Sequence, residues 1–285
     1  MTPTIVVFGS AGQLGVELCA ELARRKYEVR GFERAALNIR DSQAVERALA
    51  QFAPFAVFNA AAYNLVDAAE REPLAAYETN ALAVRNIALA CRQSGARMIH
   101  FSTDYVFDGN LGRPCVETDA THPLGAYAVS KQAGELYAQA YLERPLIVRT
   151  CAVFGPAGRR TARGNFPETM LRLAREGKPI RVVQENVVSP TFAPALAKRS
   201  IDLLERNLDG VFHIGGGEPI SWYDFARLIF EKAGITADLT PVSQSEFPTP
   251  ANRPKYSALS NTRLNQHGIE PMPPLAEAVQ QYLDS

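Results

Sequence analysis

The chain has 285 residues, enough for one large domain or for a large and a small domain that share a cleft. Hydrophobic residues make up 47% of the chain and charged residues 21%, which is typical of a globular protein with a sizeable core. Thirty basic residues balance thirty acidic ones, so we expect no nucleic-acid partner and no membrane binding through a polybasic surface.

Short β-branched runs alternate with longer amphipathic stretches through the first half of the chain. The predicted strands are 4–8, 28–32, 56–59, 97–101 and 145–150, and the predicted helices are 13–25, 41–52, 78–93 and 125–142. Strands that are apolar on both faces and alternate with helices indicate a parallel sheet covered on both sides. The sequence therefore predicts an α/β fold in which residues 1–154 form a Rossmann-type doubly wound parallel sheet.

The alternation loosens after Gly155. Residues 155–165 form a polar stretch rich in glycine and arginine, of the kind that often covers a ligand. Shorter helices are predicted at 166–176, 193–205 and 222–233, with short strands at 180–183 and 211–214, and the proline-rich segment 240–274 is expected to be irregular. Residues 155–285 are interpreted mainly as a smaller C-terminal α/β substrate-binding domain, with the chain free to cross back between the two.

The chain lacks the sequence signs of a membrane protein or a structural metal site. No apolar stretch reaches the roughly 18 residues of a membrane span, and no basic segment precedes the first apolar run, so we expect a cytoplasmic protein. The four cysteines form no C-x-x-C pair and no zinc-like spacing with histidine, so no metal is predicted.

Three glycines follow the first strand directly and open the first helix. Gly9, Gly12 and Gly15 are spaced as G-x-x-G-x-x-G. The first glycine allows a tight turn, the second lets a pyrophosphate approach the backbone, and the third lets the helix pack closely on the strand. The helix N-terminus supplies free N–H groups for the anion. This context predicts dinucleotide binding; the alternative is a glycine-rich turn that binds no ligand.

The end of the second strand bears on the choice of cofactor. Glu33 suits the ribose hydroxyls of NAD, whereas Arg34 suits the additional 2′-phosphate of NADP. Arg34 could equally be a solvated loop cation. We favour NADP(H) as the cofactor, with NAD(H) as the alternative.

Three residues form a candidate catalytic set. Tyr127 and Lys131 lie four residues apart on a predicted helix and therefore share a face. A neighbouring ammonium favours the phenolate form of tyrosine and so lowers its pKa from about 10 toward the working range. Thr103 follows the fourth strand, at the sheet edge where ligands of such folds bind. Tyr-x-x-x-Lys alone is also an ordinary helix face, but the combination with Thr103 and the glycine loop is more specific.

With these motifs in place, the chain resembles the extended short-chain dehydrogenase/reductases and, among them, the dTDP-4-dehydrorhamnose reductase family. The matching stretches are GSAGQLG, NAAAYNLVDAAE, STDYVFDG, YAVSKQAGE, NFPETMLRLA, SPTF, FHIGGGEPISWYDFA and ANRPKYSALS. The resemblance implies an oxidoreductase that transfers hydride from a nicotinamide to the C4 ketone of a nucleotide-linked 6-deoxy sugar, as in rhamnose and other deoxysugar pathways. It also allows a homodimer.

The resemblance implies a role for each matching position. Tyr127 would donate a proton to the developing alkoxide, Lys131 would hold the ribose and tune Tyr127, and Thr103 would bind the same oxygen. The cofactor would contact Gly12, Gln13 and Leu14 at the pyrophosphate, Asn38 and Ile39 near the adenine, and Ala61, Ala62 and Tyr63 near the ribose and nicotinamide. The substrate would contact Thr103, Asp104, Tyr105, Asn165 and Arg253, the last through its diphosphate.

The sequence departs from the family pattern at several positions. Ala152 stands where the family usually has a tryptophan that packs on the sugar, which leaves room for a different sugar or weakens binding of the usual one. Asn38 stands where aspartate is common. Some members are magnesium-bridged dimers, but only Glu17 matches the glutamates involved, so no metal is predicted.

Two other functions are compatible with the same fold. One is a non-catalytic NADP-binding regulatory subunit, similar to that of methionine adenosyltransferase; such a protein has no chemical need for Thr103, Tyr127 and Lys131, all present here. The other is an epimerase or dehydratase of nucleotide sugars. A dehydratase needs an acid/base pair after the threonine, whereas here Asp104 is followed by Tyr105. The STDYVFDG and PANRP stretches argue against an epimerase.

Overall fold

The computed structural model describes residues 2–161 and 164–285, so two residues of the predicted ligand-covering stretch, 162 and 163, lie outside the described part. The strands of the first half are β1 (Thr4–Phe8), β2 (Glu28–Phe32), β3 (Ala56–Asn59), β4 (Arg97–Thr103) and β5 (Leu146–Thr150). The helices of the first half are α1 (Gln13–Arg24), α2 (Ser42–Phe52), α3 (Val66–Ala69), α4 (Pro73–Tyr77), α5 (Ala83–Ser94) and α6 (Ala126–Tyr141).

The second half consists of shorter elements. Its strands are β6 (Val153–Phe154), β7 (Ile180–Val183), β8 (Val187–Val188), β9 (Thr191–Phe192), β10 (Gly210–His213), β11 (Ile220–Ser221) and β12 (Leu239–Val242). Its helices are α7 (Phe166–Arg175), α8 (Ala193–Glu205), α9 (Trp222–Ala233), α10 (Thr262–Gln266) and α11 (Leu275–Leu283). The segment expected to be irregular therefore contains the end of β12 and all of α10.

Six parallel strands form the central sheet, in the order β10-β5-β4-β3-β1-β2. The strands β1 and β3 are buried along nearly their whole length, because α1 and α8 cover one face of the sheet while α2, α5 and α6 cover the other. Local signals set the helix ends. Asp41 caps α2 by accepting a hydrogen bond from the Ala44 N–H at 3.0 Å, and Gly95 ends α5 in the left-handed conformation. The predicted doubly wound parallel sheet is confirmed.

The chain returns to the central sheet after leaving it. The helix α8 packs against α1, and β10 pairs with β5 at the edge of the sheet. The helices α7, α9 and α11 pack around an aromatic cluster that includes Phe154, Phe225 and Tyr282. Within the described residues, no helix is long and apolar enough to cross a membrane.

Candidate active site

Two adjoining cavities lie at the carboxyl ends of the central strands, where open α/β sheets bind their ligands. The first, which we call the dinucleotide cleft, has a volume of about 640 Å³ and runs from the glycine loop to the residues after β2 and β3. The second, which we call the substrate cavity, has a volume of about 480 Å³ and lies between the ends of β4 and β5 and the start of α7. Gln13, Asn64 and Val153 line both, so the two cavities meet there.

An added side chain would meet different neighbours at each of the three glycines. Gly9 has φ +79°, and a Cβ there would lie 2.6 Å from the Ala61 nitrogen. A Cβ on Gly15 would lie 2.1 Å from the Gly9 carbonyl oxygen, so α1 can approach the turn only with glycine here. A Cβ on Gly12 meets only the Gly9 oxygen, at 3.2 Å, and Gly12 is exposed in the cleft. The loop and the first N–H groups of α1 thus form an open backbone cradle of the shape that a pyrophosphate needs.

The residues after β2 line the far end of the dinucleotide cleft. Glu33, Arg34, Asn38 and Ile39 all face it. Arg34 is exposed and forms no ion pair within the described part of the chain, which leaves its guanidinium available to an anion. The Asn38 side chain accepts a hydrogen bond from the Arg40 N–H at 3.1 Å, so it shapes its own turn as well as the wall of the cleft. These residues fit a dinucleotide that carries a charged group at this end.

The segment after β3 forms the middle of the cleft and is held from behind by a residue that the sequence analysis missed. Ala61, Ala62 and Tyr63 line the cleft. The side chain of Asn80 is 1% exposed; it accepts from the Tyr63 N–H at 2.8 Å and donates to the Tyr63 carbonyl at 2.9 Å. Asn80 lies in a π-helical turn, Glu78–Leu82, within the stretch predicted as a regular helix. Such turns are frequent at functional sites, but a sequence pattern does not reveal them.

Lys131 is buried on α6 and lines neither of the two cavities. Its Nζ donates to the carbonyl oxygen of Phe101, in β4, at 2.5 Å. Burial lowers the pKa of Lys131 to about 8, and the opposing effect of the nearby Glu135 carboxylate is smaller. Tyr127 lies one turn earlier on α6, lines the substrate cavity, and packs edge-to-face on Tyr105 with ring centroids 6.1 Å apart. The helix therefore brings a cation and a phenol to the same region, as the four-residue spacing predicts.

Thr103 and Asp104 belong to a hydrogen-bond network at the end of β4. Thr103 Oγ1 donates to Asp104 Oδ1 at 3.1 Å and accepts from the Tyr105 N–H at 3.2 Å. Asp104 Oδ2 accepts from Ser257 Oγ at 2.5 Å and from Cys151 Sγ at 3.1 Å. Burial raises the pKa of Asp104 to about 6, although these three donors lower it. Asp104 and Tyr105 line the substrate cavity as well, but the Asp104 carboxylate is already held by protein groups.

A buried ion pair supports this region from behind. Arg149 and Glu135 form a hydrogen-bonded pair at 2.8 Å, with side chains 7% and 3% exposed. The guanidinium also lies over the Phe107 ring, 5.2 Å from its centroid. Burial and the charge of Arg149 lower the pKa of His213 to about 3, so this histidine is neutral and structural. The pairing of Arg149 with Glu135 has no local signal in the sequence, because the two residues lie on different elements, β5 and α6.

Two hydrogen bonds join the glycine loop to the second half of the chain. Asn165 Nδ2 donates to Gln13 Oε1 at 2.9 Å, and Gln13 Nε2 donates to the Val153 carbonyl at 2.9 Å. Asn165 also caps α7, because its Oδ1 accepts from the Glu168 N–H at 3.0 Å and from Tyr282 Oη at 3.1 Å. Asn165 lines the substrate cavity, and Gln13 lines both cavities, so this contact fixes the two walls relative to each other.

A third cavity of about 290 Å³ continues the substrate cavity, since Phe166 and Trp222 line both. Arg253 lies in this third cavity and is held by a bidentate ion pair with Asp67, at 3.1 and 2.8 Å. Ala152 lies in the connection between β5 and β6 and has φ +43°. It lines the substrate cavity together with Trp222. The cavity thus contains aromatic side chains, Trp222 among them, although residue 152 is small.

Metal ligands are not gathered at this site. Within residues 2–161 and 164–285, no three or more histidine, cysteine, aspartate or glutamate side chains are grouped so that they could hold an ion. The arrangement of glycine loop, buried lysine, tyrosine and threonine around two joined cavities instead defines a Rossmann-type protein with the site plan of the extended short-chain dehydrogenase/reductases.

Comparisons with known proteins give the family within that class. The model of the family described as "RmlD substrate binding domain" matches residues 3–285. The Bacillus subtilis spore coat polysaccharide biosynthesis protein SpsK is 36% identical, over 98% of this chain and 96% of its own length. The Escherichia coli dTDP-4-dehydrorhamnose reductase is 37% identical, over 92% and 91%. This chain belongs to the dTDP-4-dehydrorhamnose reductase family, as the sequence motifs predicted.

A solved structure of the family supports the same relation in three dimensions. The dTDP-4-dehydrorhamnose reductase of Bacillus anthracis, in complex with NADP, superimposes with a TM-score of 0.95. It is 33% identical, and the match covers 100% of this chain and 99% of that one.

Proposed function

We propose that this protein is an NADPH-dependent reductase of the C4 ketone of a nucleotide-linked 6-deoxy-4-keto sugar, similar in activity to its dTDP-4-dehydrorhamnose reductase relatives. The observation that carries the proposal is that the two cavities join. Tyr127 and Thr103 line the substrate cavity, and Lys131 is buried one helical turn after Tyr127. A dinucleotide in one cavity and a sugar in the other would place the nicotinamide and the carbonyl in contact at that junction.

The residues of the chain account for the proton side of the reaction. NADPH, when bound, supplies the hydride to the C4 carbon. The Tyr127 hydroxyl donates its proton to the C4 oxygen as negative charge develops there, and Thr103 binds the same oxygen. The ammonium of Lys131 stabilises the phenolate that Tyr127 becomes. The products are the C4 alcohol and NADP⁺, and Tyr127 recovers a proton from solvent.

The cofactor-binding residues support NADP(H). We assign the pyrophosphate to Gly9, Gly12 and the N–H groups of Gln13 and Leu14, because that backbone lies open in the cleft. Gly15 completes the cofactor site indirectly, by letting α1 approach the turn. We assign the 2′-phosphate to Arg34, because a guanidinium binds phosphate in bidentate fashion and this one has no ion-pair partner in the described chain. NAD(H) lacks that phosphate and would bind more weakly.

The third cavity suits the nucleotide portion of the substrate. Phe166, Trp222 and Phe247 give it aromatic walls, and Arg253 supplies the positive charge for a diphosphate. In this proposal the ion pair with Asp67 holds the Arg253 guanidinium in place and leaves its remaining N–H groups for the ligand. Residues 1–154 would then mainly hold the cofactor and residues 155–285 mainly the substrate, with α8 and β10 belonging structurally to the first part.

The proposal extends to location and assembly. We propose a cytoplasmic enzyme, since NADPH and nucleotide sugars are cytoplasmic metabolites. We also propose a homodimer, supported by exposed apolar side chains on α4 and α6: Leu74 is 68% exposed, Leu136 58% and Val129 47%. Light scattering on the purified protein and on Leu136→Arg would test it, because the variant should be monomeric while it keeps its fold.

The test of the function is oxidation of NADPH by the purified protein, with NADH in parallel and a dTDP-4-keto-6-deoxy-L-hexose generated in situ. We expect turnover with NADPH and a loss of 10²- to 10⁴-fold in kcat for Tyr127→Phe, which keeps the ring but has no proton to give. The control is Tyr223→Phe, outside the two joined cavities. Tight NADPH binding without turnover of any nucleotide sugar would contradict the proposal and favour a non-catalytic subunit.

A further inference from the structure

The helix α6, which carries Tyr127 and Lys131, begins after a residue that cannot cap it with a side chain. That residue is Gly125, so a different group must accept the hydrogen bonds of the first N–H groups of the helix. A carboxylate from a distant part of the chain does this. The Ala126 N–H, in the residue before Tyr127, donates to Glu70 Oε1 at 2.8 Å. Glu70 directly follows α3, 56 residues earlier in the sequence.

The contact between Glu70 and α6 leaves no space for a side chain at the N-cap position. A Cβ added to Gly125 would lie 2.5 Å from Glu70 Oε1, well inside van der Waals contact. The backbone of Gly125 is extended, with φ −159°, so its conformation does not by itself require glycine. The absent side chain is instead what gives the Glu70 carboxylate its place at the start of α6.

A second contact holds the backbone on the other side of Tyr127. Ser130 Oγ donates to the Tyr127 carbonyl oxygen at 2.7 Å and accepts from Asn80 Nδ2 at 3.0 Å. Asn80 also holds the backbone of Tyr63 in the wall of the dinucleotide cleft. The first turn of α6 is therefore held from two sides, by Glu70 before Tyr127 and by Asn80, through Ser130, after it.

Glu70 is exposed, but the turn of helix that precedes it is anchored. Asp67, three residues before Glu70 on α3, forms the bidentate ion pair with Arg253, and its Oδ1 also accepts from the Ala251 N–H at 3.2 Å. These bonds tie α3 to the second half of the chain at the third cavity. A carboxylate on an anchored turn loses less conformational entropy when it caps a helix than one on a free loop.

We propose that Glu70 is a positioning residue for Tyr127, and that its carboxylate fixes the first turn of α6 so that the phenol reaches the C4 oxygen of the sugar. The inference rests on the proposed function, in which Tyr127 is the proton donor. Its physical basis is that proton transfer requires hydrogen-bond distance between donor and acceptor. A displacement of about 1 Å, caused by a change away from the reacting atoms, can slow a reaction by about 100-fold.

The test compares Glu70→Ala and Glu70→Gln with Asp41→Ala in single-turnover oxidation of NADPH at saturating nucleotide sugar. We expect Glu70→Ala to slow the reaction about tenfold and to leave KM for NADPH unchanged. Glu70→Gln keeps an oxygen that accepts from the Ala126 N–H and should restore most of the rate. Asp41→Ala is the matched control, because it removes the carboxylate cap of α2, a helix that lines neither cavity. It should lower the melting temperature without slowing the reaction.

The variant Gly125→Ala reaches the same carboxylate by a different route. Its added Cβ must displace Glu70 Oε1, so it should be about as slow as Glu70→Ala, and the double variant should be no slower than either. Additive losses in the double variant would overturn the inference, as would an unchanged rate in Glu70→Ala.

Two further results separate positioning from other roles of Glu70. A rate that Glu70→Gln does not restore would assign the effect to the negative charge and overturn the inference. Equal slowing in Asp41→Ala would assign it to a general loss of helix stability, with the same consequence. Absence of turnover by the unaltered enzyme would overturn the proposed function and this inference with it.

Discussion

The dinucleotide cleft and the substrate cavity adjoin, but they are built in different ways. The cleft is formed by backbone from three consecutive strand ends, with glycines where a side chain would collide and an exposed arginine at its far end. The substrate cavity is formed by side chains from both halves of the chain, many of them buried and bonded to partners 47 to 153 residues away, such as Asp104 to Cys151 and Ser257.

The difference shows what each kind of recognition demands of a sequence. A backbone cradle depends on a short stretch in which glycine spacing determines the shape, so few substitutions are tolerated but the motif is contiguous. A side-chain cavity depends on groups that tertiary packing brings together, so its specificity can change one residue at a time. Ala152 and Trp222 illustrate this, since the cavity has a small residue at one position and an aromatic ring on another element.

The largest expected effect comes from adding a side chain where the cradle is tightest. Gly15→Ala would place a Cβ 2.1 Å from the Gly9 oxygen, so α1 must move and we expect a lower melting temperature and no detectable NADPH binding. Gly12→Ala is the matched control, because its nearest contact is 3.2 Å; it should fold normally and bind NADPH weakly. Calorimetry and fluorescence titration measure both. If Gly15→Ala melted at the same temperature as the unaltered protein, α1 would be able to move away from the turn at little cost, contrary to this expectation.

A smaller effect on kcat/KM is expected from a rise in pH, through the charge of the buried Lys131. The pKa of Lys131 is lowered to about 8 by burial, so the ammonium that we propose as the support of Tyr127 is lost above that pH rather than near 10.5. We expect kcat/KM of the free enzyme to fall as the pH rises through about 8. The lysine is uncharged at lower pH in the folded than in the unfolded chain, so stability should rise with pH between about 8 and 10.5.

The variant Lys131→Met separates the effect of Lys131 on activity from its effect on stability. It removes the buried charge, so at pH 7 the fold should be no less stable, while kcat/KM should drop by about 10²-fold or more. The fall in kcat/KM above about pH 8 should also disappear, because the variant has no ammonium to lose its proton. A kcat/KM profile that stays flat to pH 10 in the unaltered enzyme would remove Lys131 from the mechanism.

The smallest expected effect lies at the open end of the dinucleotide cleft. Arg34→Ala should raise KM for NADPH about 10- to 100-fold and leave KM for NADH nearly unchanged, because only NADPH carries the 2′-phosphate. Glu33→Gln is the control at the neighbouring position and should not weaken NADPH binding. Steady-state kinetics with both cofactors measure the ratio. Equal losses for NADPH and NADH would mean that Arg34 stabilises the loop rather than the phosphate.

Parts of the site were accessible from the sequence because their signals are local. The glycine spacing, the four-residue interval between Tyr127 and Lys131, and the alternation of apolar strands with helices each act within one or two elements. The π-helical turn that brings Asn80 to Tyr63, and the pairing of Arg149 with Glu135, have no such signal, because each depends on which elements become neighbours.

The sequence alone therefore determined the fold class and the position of the glycine loop, since periodicity and glycine spacing are set by backbone geometry that repeats from protein to protein. Its longer motifs determined the family. Tertiary structure decided which side chains line the substrate cavity. It joined Gln13 to Asn165 and placed Trp222 in the cavity wall. These outcomes follow from the packing of distant elements, and the burial that lowers the pKa of Lys131 and raises that of Asp104 exists only once that packing is complete.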